Sequence, residues 1–238
     1  DEAGSAFTNT LAAWTFLTDV EVRASRRIGA VVALGDSITD GFPGPSDQNG
    51  RYPDLLARRL AAAGARLAVQ NAGISGNRVL RDGLVPSLGP RLLDRLDHDA
   101  IDQVGASVVI LMEGTNDLGL PPTATPAEVI AGLQSAIERM RRAGLRVLVG
   151  TQTPCTNFAL ALHGTPAAIA ARNEINDWIR TNSAADGVID FHAALRDPTS
   201  PDRLRAEFDS GDHLHPIATG YAAMAEAIDL NLLNEPAC

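Results

Sequence analysis

The stretch AVVALGDSITDG, residues 30–41, sets a run of small and β-branched apolar residues directly before a polar segment bounded by glycines. Such a run is typical of a buried parallel strand, and the glycines after it indicate a tight turn. Ser37 is therefore expected where a strand ends at the edge of a sheet, a position suited to a nucleophile. A serine between glycines more commonly only shapes a turn, with its hydroxyl bonded to nearby backbone. The rest of the chain has to decide between these interpretations.

Further apolar runs recur along the chain, at about 65–71, 106–113, 145–151 and 187–191, and longer segments of helical period separate them. Together with the first run, at 29–35, this alternation predicts a parallel β-sheet with helices on both faces. A capping box with proline at the first helical position opens the second predicted helix. Helices are expected at 52–63, 126–142, 165–181 and 217–233.

Three other polar clusters stand at the end of an apolar run or at the start of a helical segment. They are NAGISGN at 71–77, GTND at 114–117 and DHLHP at 212–216. Ligands of open α/β sheets bind beyond the carboxyl ends of the strands. We therefore expect these clusters to meet Ser37 at one edge of the sheet.

With these four blocks in this order, over about residues 28–233, the chain resembles the SGNH hydrolases, also called GDSL esterases and lipases. The resemblance implies a flavodoxin-like three-layer sandwich, with a five-stranded parallel sheet in the order 2-1-3-4-5. It assigns Ser37 as the nucleophile of a catalytic triad with Asp212 and His215. Gly76 and Asn116, with the backbone N–H of Ser37, become the oxyanion-hole donors. The first block reads Gly-Asp-Ser-Ile where the family name records Gly-Asp-Ser-Leu, which is a mild departure.

The residue types suit ester cleavage, which needs a nucleophile, a base, a group that orients the base and donors for the oxyanion. His215 combines a carboxylate shortly upstream with a predicted helix start just downstream. Asp212, three residues before it, can reach the imidazole from a turn. If Pro216 opens the last helix, the positive end of the helix dipole disfavours the imidazolium, and Asp212 offsets this effect.

Composition narrows the possible functions further. The formal net charge of -9 and the pI near 5 argue against nucleic acid or an anionic membrane as the main partner. A small neutral ester is the expected substrate, with no cofactor and no obligate protein partner. All 20 basic residues are arginine, so a phosphate-loop lysine, a Schiff-base lysine and a Ser-Lys dyad are excluded. No stretch approaches the roughly 20 apolar residues of a membrane span.

Residues 1–27 lie outside the alternating pattern. Between Trp14 and Arg23, apolar and polar residues alternate, which indicates a strand. Two interpretations are equally open: the last piece of a preceding β-rich domain, such as some longer relatives carry, or an arm packed on the hydrolase domain, residues 28–238. The chain begins at Asp1 without a signal peptide, which leaves open a secreted protein with its signal removed or a cytoplasmic protein.

The two cysteines, Cys155 and Cys238, are too few for a disulfide framework or a thiolate metal site. The predicted fold sets them at opposite edges of the sheet, which argues against a bridge, although a tail that folds back leaves the pairing open.

Several polar residues admit both a functional and a structural explanation. His213 and His215 beside Asp212 could begin a metal site, but no second group of ligands accompanies them, so no metal is expected. Asp190 could rival Asp212, but a turn or cap is the favoured role. Arg78 could meet a substrate carboxylate or phosphate, whereas pairing with a nearby aspartate is more common.

The remaining histidines have no expected part in the reaction. His98 and His163 lie in polar or loop contexts, and we expect both side chains to be solvated. His192 is expected to be a loop residue near the site.

The segment 154–166 carries Phe158, Leu160 and Leu162, which could form an apolar wall near the site. With aromatic residues at only 4%, a platform for long polysaccharides is not expected, and a short acyl group is favoured. A carbohydrate O-acetylesterase is the alternative, because the same triad serves it. A non-catalytic glycan- or ligand-binding module is the rival from another class. A flavin- or nucleotide-binding domain is a third possibility, but no Gly-x-Gly-x-x-Gly fingerprint of dinucleotide binding follows the first predicted strand.

Overall fold

The computed structural model describes residues 20–23, 28–44 and 48–233. Five strands form one parallel sheet in the order β2-β1-β3-β4-β5. This order confirms the flavodoxin-like sandwich, and each strand overlaps its predicted apolar run. The strands are β1 (Gly29–Gly35), β2 (Leu67–Gly73), β3 (Ala106–Met112), β4 (Arg146–Gly150) and β5 (Gly187–Ile189).

Helices connect the strands and cover both faces of the sheet. A π-helical turn, Asp97–Ile101, extends the third of them. An antiparallel pair, β6 (Arg196–Asp197) with β7 (Ser200–Leu204), was not predicted. The helices are α1 (Ser37–Asp40), α2 (Tyr52–Ala62), α3 (Leu92–Leu96), α4 (Thr115–Gly119), α5 (Pro126–Arg142), α6 (Pro166–Asn182), α7 (Phe191–Leu195) and α8 (Ala218–Glu226).

Successive residues of β1 serve opposite faces of the sheet. Val31 and Ala33 belong to the cluster that packs against α2, α7 and α8. Val32 and Leu34 belong to the cluster beneath α3, α5 and α6. All four side chains are buried, because a central strand between two helical layers has no solvated face, and β1 therefore reads as a continuous apolar run.

The last helix begins later than predicted. Ile217 is its N-cap residue and Ala218 its first helical residue, so Pro216 does not open it. Pro216 instead forms an isolated antiparallel bridge with Asp209. The helix ends at Glu226, and a short 3-10 turn, Leu230–Leu233, follows. The positive end of this helix therefore begins two residues further along the chain from His215 than the sequence predicts.

Parts of the sequence predictions fall outside the described residues. Residues 1–19 and 24–27 are among these, and residues 20–23 have no regular secondary structure, so the N-terminal strand or arm stays a prediction. Cys238 also lies outside. The thiol of Cys155 is buried and has no disulfide partner in the described part of the chain, so a bridge between the two cysteines is untested. Within the described part, no helix is both long enough and apolar enough to cross a membrane.

Candidate active site

Ser37 is the first residue of α1, immediately beyond the carboxyl end of β1. Asp36 caps this short helix, because its Oδ1 accepts a hydrogen bond from the backbone N–H of Ile38 at 3.0 Å. Gly41 ends the helix in the left-handed conformation, at φ 95°. A Cβ at Gly35 would come within 2.5 Å of a backbone oxygen of β3, so this position requires glycine. Strand, cap and tight turn together hold the serine hydroxyl at the edge of the sheet.

His215 and Asp212 meet Ser37 at this edge. The Oγ of Ser37 lies 2.9 Å from Nε2 of His215. The Nδ1 of His215 lies 2.6 Å from Oδ2 of Asp212. The other carboxylate oxygen, Oδ1, accepts the backbone N–H groups of Leu214 at 2.9 Å and His215 at 2.8 Å. The three side chains therefore form a continuous hydrogen-bonded chain.

The ionisation of Asp212 fixes the tautomer of His215. Burial opposes ionisation of the carboxyl, but hydrogen bonds from the backbone and ring of His215 outweigh it and lower the pKa of Asp212 to about 2. An ionised carboxylate only accepts hydrogen bonds, so the neutral imidazole carries its proton on Nδ1. Its Nε2 is then free to accept the proton of the Ser37 hydroxyl.

The carboxyl end of β2 packs directly on the helix that carries Ser37, and Gly76 lies in the loop that follows. A Cβ at Gly73 would overlap the backbone of Asp40, so glycine permits this close approach. Gly76 has a φ of 76°, and a Cβ there would lie 2.8 Å from the side chain of Leu88. Within the described residues, nothing accepts a hydrogen bond from the backbone N–H of Ser37 or Gly76. The oxyanion role that the sequence assigns to these two N–H groups stays a prediction.

Asn116, the second residue of α4, is buried and held at both ends of its side-chain amide. Its Nδ2 donates to the carbonyl oxygen of Asn77 at 2.9 Å. Its Oδ1 lies 3.0 Å from Nε2 of His163. The prediction that His163 is solvated is wrong, since the residue is only 5% exposed. The loop that carries it folds over α4, where the N–H of Leu162 donates to the carbonyl of Gly119 at 2.9 Å.

Asn77 organises the loop behind these donors, and sequence reasoning missed it. Its Nδ2 donates to the carbonyl oxygens of Leu88 at 2.9 Å and Pro90 at 2.8 Å. Its Oδ1 accepts from Nε of Arg95 at 2.9 Å. The one available signal was its place at the end of the NAGISGN block. Arg95 lies on α3, which was not among the predicted helices, and nothing in the sequence marked this residue.

Behind Ser37 lies a buried charged cluster. Arg95 donates to the carbonyl of Gly35 at 3.0 Å and pairs with Asp99 at 2.7 Å. Glu113, fully buried, lies 3.5 Å from the same guanidinium. Burial, and then the negative charge of Asp36, raise the pKa of Glu113 well above its ordinary value. Burial likewise raises the pKa of Asp36 to about 7. These carboxyl groups take up protons far more readily than exposed ones.

Two aromatic rings border His215. The Phe42 ring centroid is 4.9 Å from that of the imidazole, edge to face, and Phe158 stands at 6.2 Å in a similar orientation. Of the predicted apolar wall, only Phe158 fits this position, because Leu160 and Leu162 are exposed to solvent. Phe42 was not singled out from the sequence, although it lies five residues after Ser37.

Three other polar residues are now placed. Asp190 caps α7 by accepting the N–H of Ala193 at 3.0 Å, and it pairs with Arg180, which confirms the predicted capping role. The prediction that His192 is a loop residue is wrong, since it lies within α7 and is buried. Burial, and then the charge of Arg172, lower the pKa of His192 to about 4. The side chain of His98 is 73% exposed, as predicted.

The remaining alternatives find structural explanations. The Nδ1 of His213 lies 2.6 Å from Oδ2 of Asp209, so His213 is engaged in its own pair. In the described part of the chain, no group of three or more His, Cys, Asp or Glu side chains is arranged to hold a metal ion. Arg78 is buried and donates to the backbone carbonyl of Asp82. The sequence favoured an ion pair with an aspartate side chain instead.

Solved structures share this fold at low sequence identity. A carbohydrate acetylesterase from Sinorhizobium meliloti aligns with a TM-score of 0.66 at 17% identity, covering 84% of this chain and 95% of the other. The aryl esterase of M. smegmatis aligns with a TM-score of 0.65 at 18% identity, over the same shares. A lipase/acylhydrolase from Enterococcus faecalis aligns with a TM-score of 0.64 at 23% identity, covering 84% and 93%.

At the level of sequence, comparison with curated proteins gives no significant match. A family model does match: the GDSL-like lipase/acylhydrolase family aligns over residues 33–223, which includes all four polar blocks. The match spans most of the chain, and the shared fold is that of the solved esterases. The chain therefore belongs to the GDSL-like lipase/acylhydrolase family.

Proposed function

We propose that the protein is a serine esterase that hydrolyses short-acyl carboxylic esters through an acyl-enzyme. The observation that carries this proposal is the hydrogen-bonded chain from Ser37 through His215 to Asp212, at 2.9 and 2.6 Å. A hydroxyl, a neutral imidazole and an ionised carboxylate in this order form the arrangement that activates a serine.

The chemistry follows from these contacts. As Oγ of Ser37 bonds to the carbonyl carbon, Nε2 of His215 takes its proton, and Asp212 stabilises the resulting imidazolium. The carbonyl oxygen becomes an oxyanion, which accepts the backbone N–H groups of Ser37 and Gly76 and the Nδ2–H of Asn116. Collapse of this intermediate expels the alcohol, which receives the proton from His215. Water then repeats the sequence on the acyl-enzyme, releasing the acid and restoring the serine.

The aromatic border suggests the size of the substrate. Phe42 and Phe158 both stand beside the imidazole, so apolar surface is concentrated next to the base. Leu160 and Leu162, which could have lengthened this surface, face solvent. A small apolar or aryl group fits against two rings better than a long chain would. The alternative, removal of acetyl groups from a carbohydrate, uses the same triad and is supported by the shared fold of the Sinorhizobium meliloti enzyme.

A substrate panel tests both forms of the proposal. We expect p-nitrophenyl acetate and butyrate to be turned over faster than p-nitrophenyl octanoate. Acetylated sugars are tested in the same assay, and faster turnover of these sugars would favour the carbohydrate O-acetylesterase. Ser37→Ala should lower kcat by about 10⁴-fold or more. Ser107→Ala is the matched control, because Ser107 lies near the amino end of β3, away from this edge, and should keep wild-type kcat.

A serine-directed phosphonate supplies a second readout. The label should map to the peptide that contains Ser37 in the wild type and be absent from Ser37→Ala. A protein that turns over none of these esters and takes no label would instead be a non-catalytic binding module. Labelling of a different serine would contradict the assignment of the nucleophile while leaving esterase activity in place.

A further inference from the structure

The side-chain amide of Asn116 has a single orientation that satisfies both of its neighbours. The carbonyl oxygen of Asn77 only accepts hydrogen bonds, so the Asn116 atom 2.9 Å from it must be the Nδ2 donor. The other amide atom, Oδ1, only accepts, so the Nε2 of His163 at 3.0 Å must carry the proton. Asn77 and His163 therefore fix the two ends of one planar group.

The protonation of His163 is set by its surroundings. Burial, and then the neighbouring His215, lower the pKa of His163 to about 4, so the ring is neutral at pH 7. Its one proton is required on Nε2 by the bond to Asn116. The Nδ1 is buried and meets no hydrogen-bond partner among the described residues. The ring is thus held as a neutral donor aimed at one acceptor.

The backbone beneath the ring is shaped for this contact. A Cβ at Gly119 would overlap the imidazole of His163, so α4 approaches the ring only because residue 119 is glycine. The N–H of Leu162 donates to the carbonyl of the same glycine at 2.9 Å. Phe158 packs edge-on against the other side of the ring, at 5.2 Å between centroids. The ring of His163 therefore has little freedom to turn.

We propose that His163 is a positioning residue for the reaction, which holds the Nδ2–H of Asn116 in the direction of the oxyanion. This inference rests on the proposed function, in which Asn116 is an oxyanion donor. With one Nδ2 hydrogen bound to Asn77 and Oδ1 bound to His163, the planar amide fixes the direction of the second hydrogen. Donors that are fixed before the substrate arrives need no reorganisation as charge develops.

A double-mutant cycle separates positioning from a general structural role. His163→Leu removes the donor and keeps an apolar side chain, whereas His163→Gln keeps an N–H donor near the position of Nε2. Losing an oxyanion donor outright costs about 10²- to 10³-fold in kcat, so losing its positioning partner should cost less, roughly 10- to 100-fold. We expect His163→Leu to lower kcat by that factor with KM within about 2-fold, and His163→Gln to recover most of the loss.

The decisive comparison uses Asn116→Ala as the background. If His163 acts through Asn116, adding His163→Leu to Asn116→Ala should lower kcat by less than about 2-fold further. Full multiplication of the two losses would overturn the inference while leaving Asn116 its role. A wild-type kcat for Asn116→Ala would instead remove the oxyanion role of Asn116, and with it the premise, without affecting Ser37.

A measurement on the unaltered protein covers the case in which a variant does not fold. A two-bond ¹H–¹⁵N correlation spectrum reports which ring nitrogen of each histidine carries a proton. We expect His163 to show the Nε2–H tautomer and to keep it as the pH falls from 8 to 5. The Nδ1–H tautomer, or protonation of the ring near pH 6.5, would overturn the inference.

Discussion

The carbonyl oxygen of Asn77 accepts a hydrogen bond from Nδ2 of Asn116 at 2.9 Å, across 39 residues of sequence. This bond joins the loop after β2, which carries Gly76, to the helix after β3. The two proposed oxyanion donors outside Ser37 are therefore tied to each other as well as to the sheet. Their spacing is set by the fold before any substrate binds, which is the property that makes such donors effective.

Replacement of Asn77 should loosen this connection. Asn77→Ala removes two donated bonds and leaves Nε of Arg95 without its buried acceptor, so we expect a loss of about 2–4 kcal/mol in the free energy of unfolding. Urea denaturation measures it. Gln70→Ala, which breaks one half-buried amide pair on the neighbouring strand, is the control and should cost less than about 1 kcal/mol. Equal losses in the two variants would contradict the central role of Asn77.

Asp212→Asn tests the tautomer of His215. An amide can donate to Nδ1, which places the imidazole proton on Nε2, where it can no longer take the proton of Ser37; kcat should fall by about 10⁴-fold. In the wild type the pKa of Asp212 is about 2, so its stabilising contacts are present above pH 4 and are lost only as the pH falls towards 2. The kcat/KM profile of the wild type should therefore show no loss assignable to Asp212 above pH 4. A kcat for Asp212→Asn within 10-fold of the wild type would contradict this role.

Asp36→Asn should change how stability depends on pH. Burial raises the pKa of Asp36 to about 7, so the folded state retains a proton that the unfolded chain releases near pH 4. This contribution to wild-type stability is present at low pH and is lost as the pH rises through 7. Asparagine keeps the acceptor for the N–H of Ile38 and never ionises.

Urea denaturation of both proteins at pH 5 and pH 8 checks this prediction. From pH 5 to pH 8, the free energy of unfolding of Asp36→Asn should rise relative to that of the wild type by on the order of 2 kcal/mol. Because Asp36 and Glu113 repel each other, part of this gain reflects easier ionisation of Glu113. A difference that is the same at pH 5 and pH 8 would show that Asp36 is already ionised at pH 5.

His192→Leu should have the opposite pH dependence. The pKa of His192 is lowered to about 4, so the unfolded chain binds a proton below pH 6.5 that the folded protein resists. Wild-type stability should fall as the pH drops from 6.5 to 4, and the leucine variant should lose about 1–2 kcal/mol less over that range. Both ring nitrogens are buried without a partner in the described residues, so leucine should not cost stability at pH 7. Thermal melts followed by circular dichroism across this pH range measure the stability of both proteins. Parallel stability-against-pH curves for the wild type and His192→Leu would contradict the prediction.

Phe42→Ala should alter substrate choice more than stability. The ring is 51% exposed and stands edge-on to His215, while its backbone carbonyl accepts the hydroxyl of Tyr221 at 2.5 Å. Removing the ring should lower kcat/KM for aryl esters by about 2- to 10-fold, the range of a single aromatic contact. The exposed Leu160→Ala is the control and should leave kcat/KM unchanged. Equal effects on aryl and methyl esters would exclude Phe42 from substrate selection.

Most strands were predictable because they contain an apolar run that ends in a polar turn, as residues 30–41 illustrate. Ser37, Asp212 and His215 were also within reach, since each stands in a short block whose order along the chain matches the family. The strand order came from the resemblance, because spacing alone does not determine which strands are neighbours. Local pattern and family order together therefore predicted the sheet and the three hydrogen-bonded side chains.

His163 shows where such reasoning stops. It lies in a loop segment between Leu162 and Gly164. The contacts that bury it come from Asn116, 47 residues away, and from Gly119. Pro216 shows a different limit. Proline favours the first turn of a helix, but the bridge between Asp209 and Pro216 keeps the chain extended there and delays α8 until Ala218. In both cases a tertiary contact overrides the local preference.

The hydroxyl of Ser37 and the imidazole of His215 are separated by 178 positions along the polypeptide. A ribosome-bound chain that has not yet exposed its last hundred residues has a nucleophile without a base, and it should be inert towards esters. Turnover should begin only when the late-synthesised segment docks against a finished sheet. The time at which ester hydrolysis appears during refolding therefore measures when the segment that carries His215 docks against the rest of the fold.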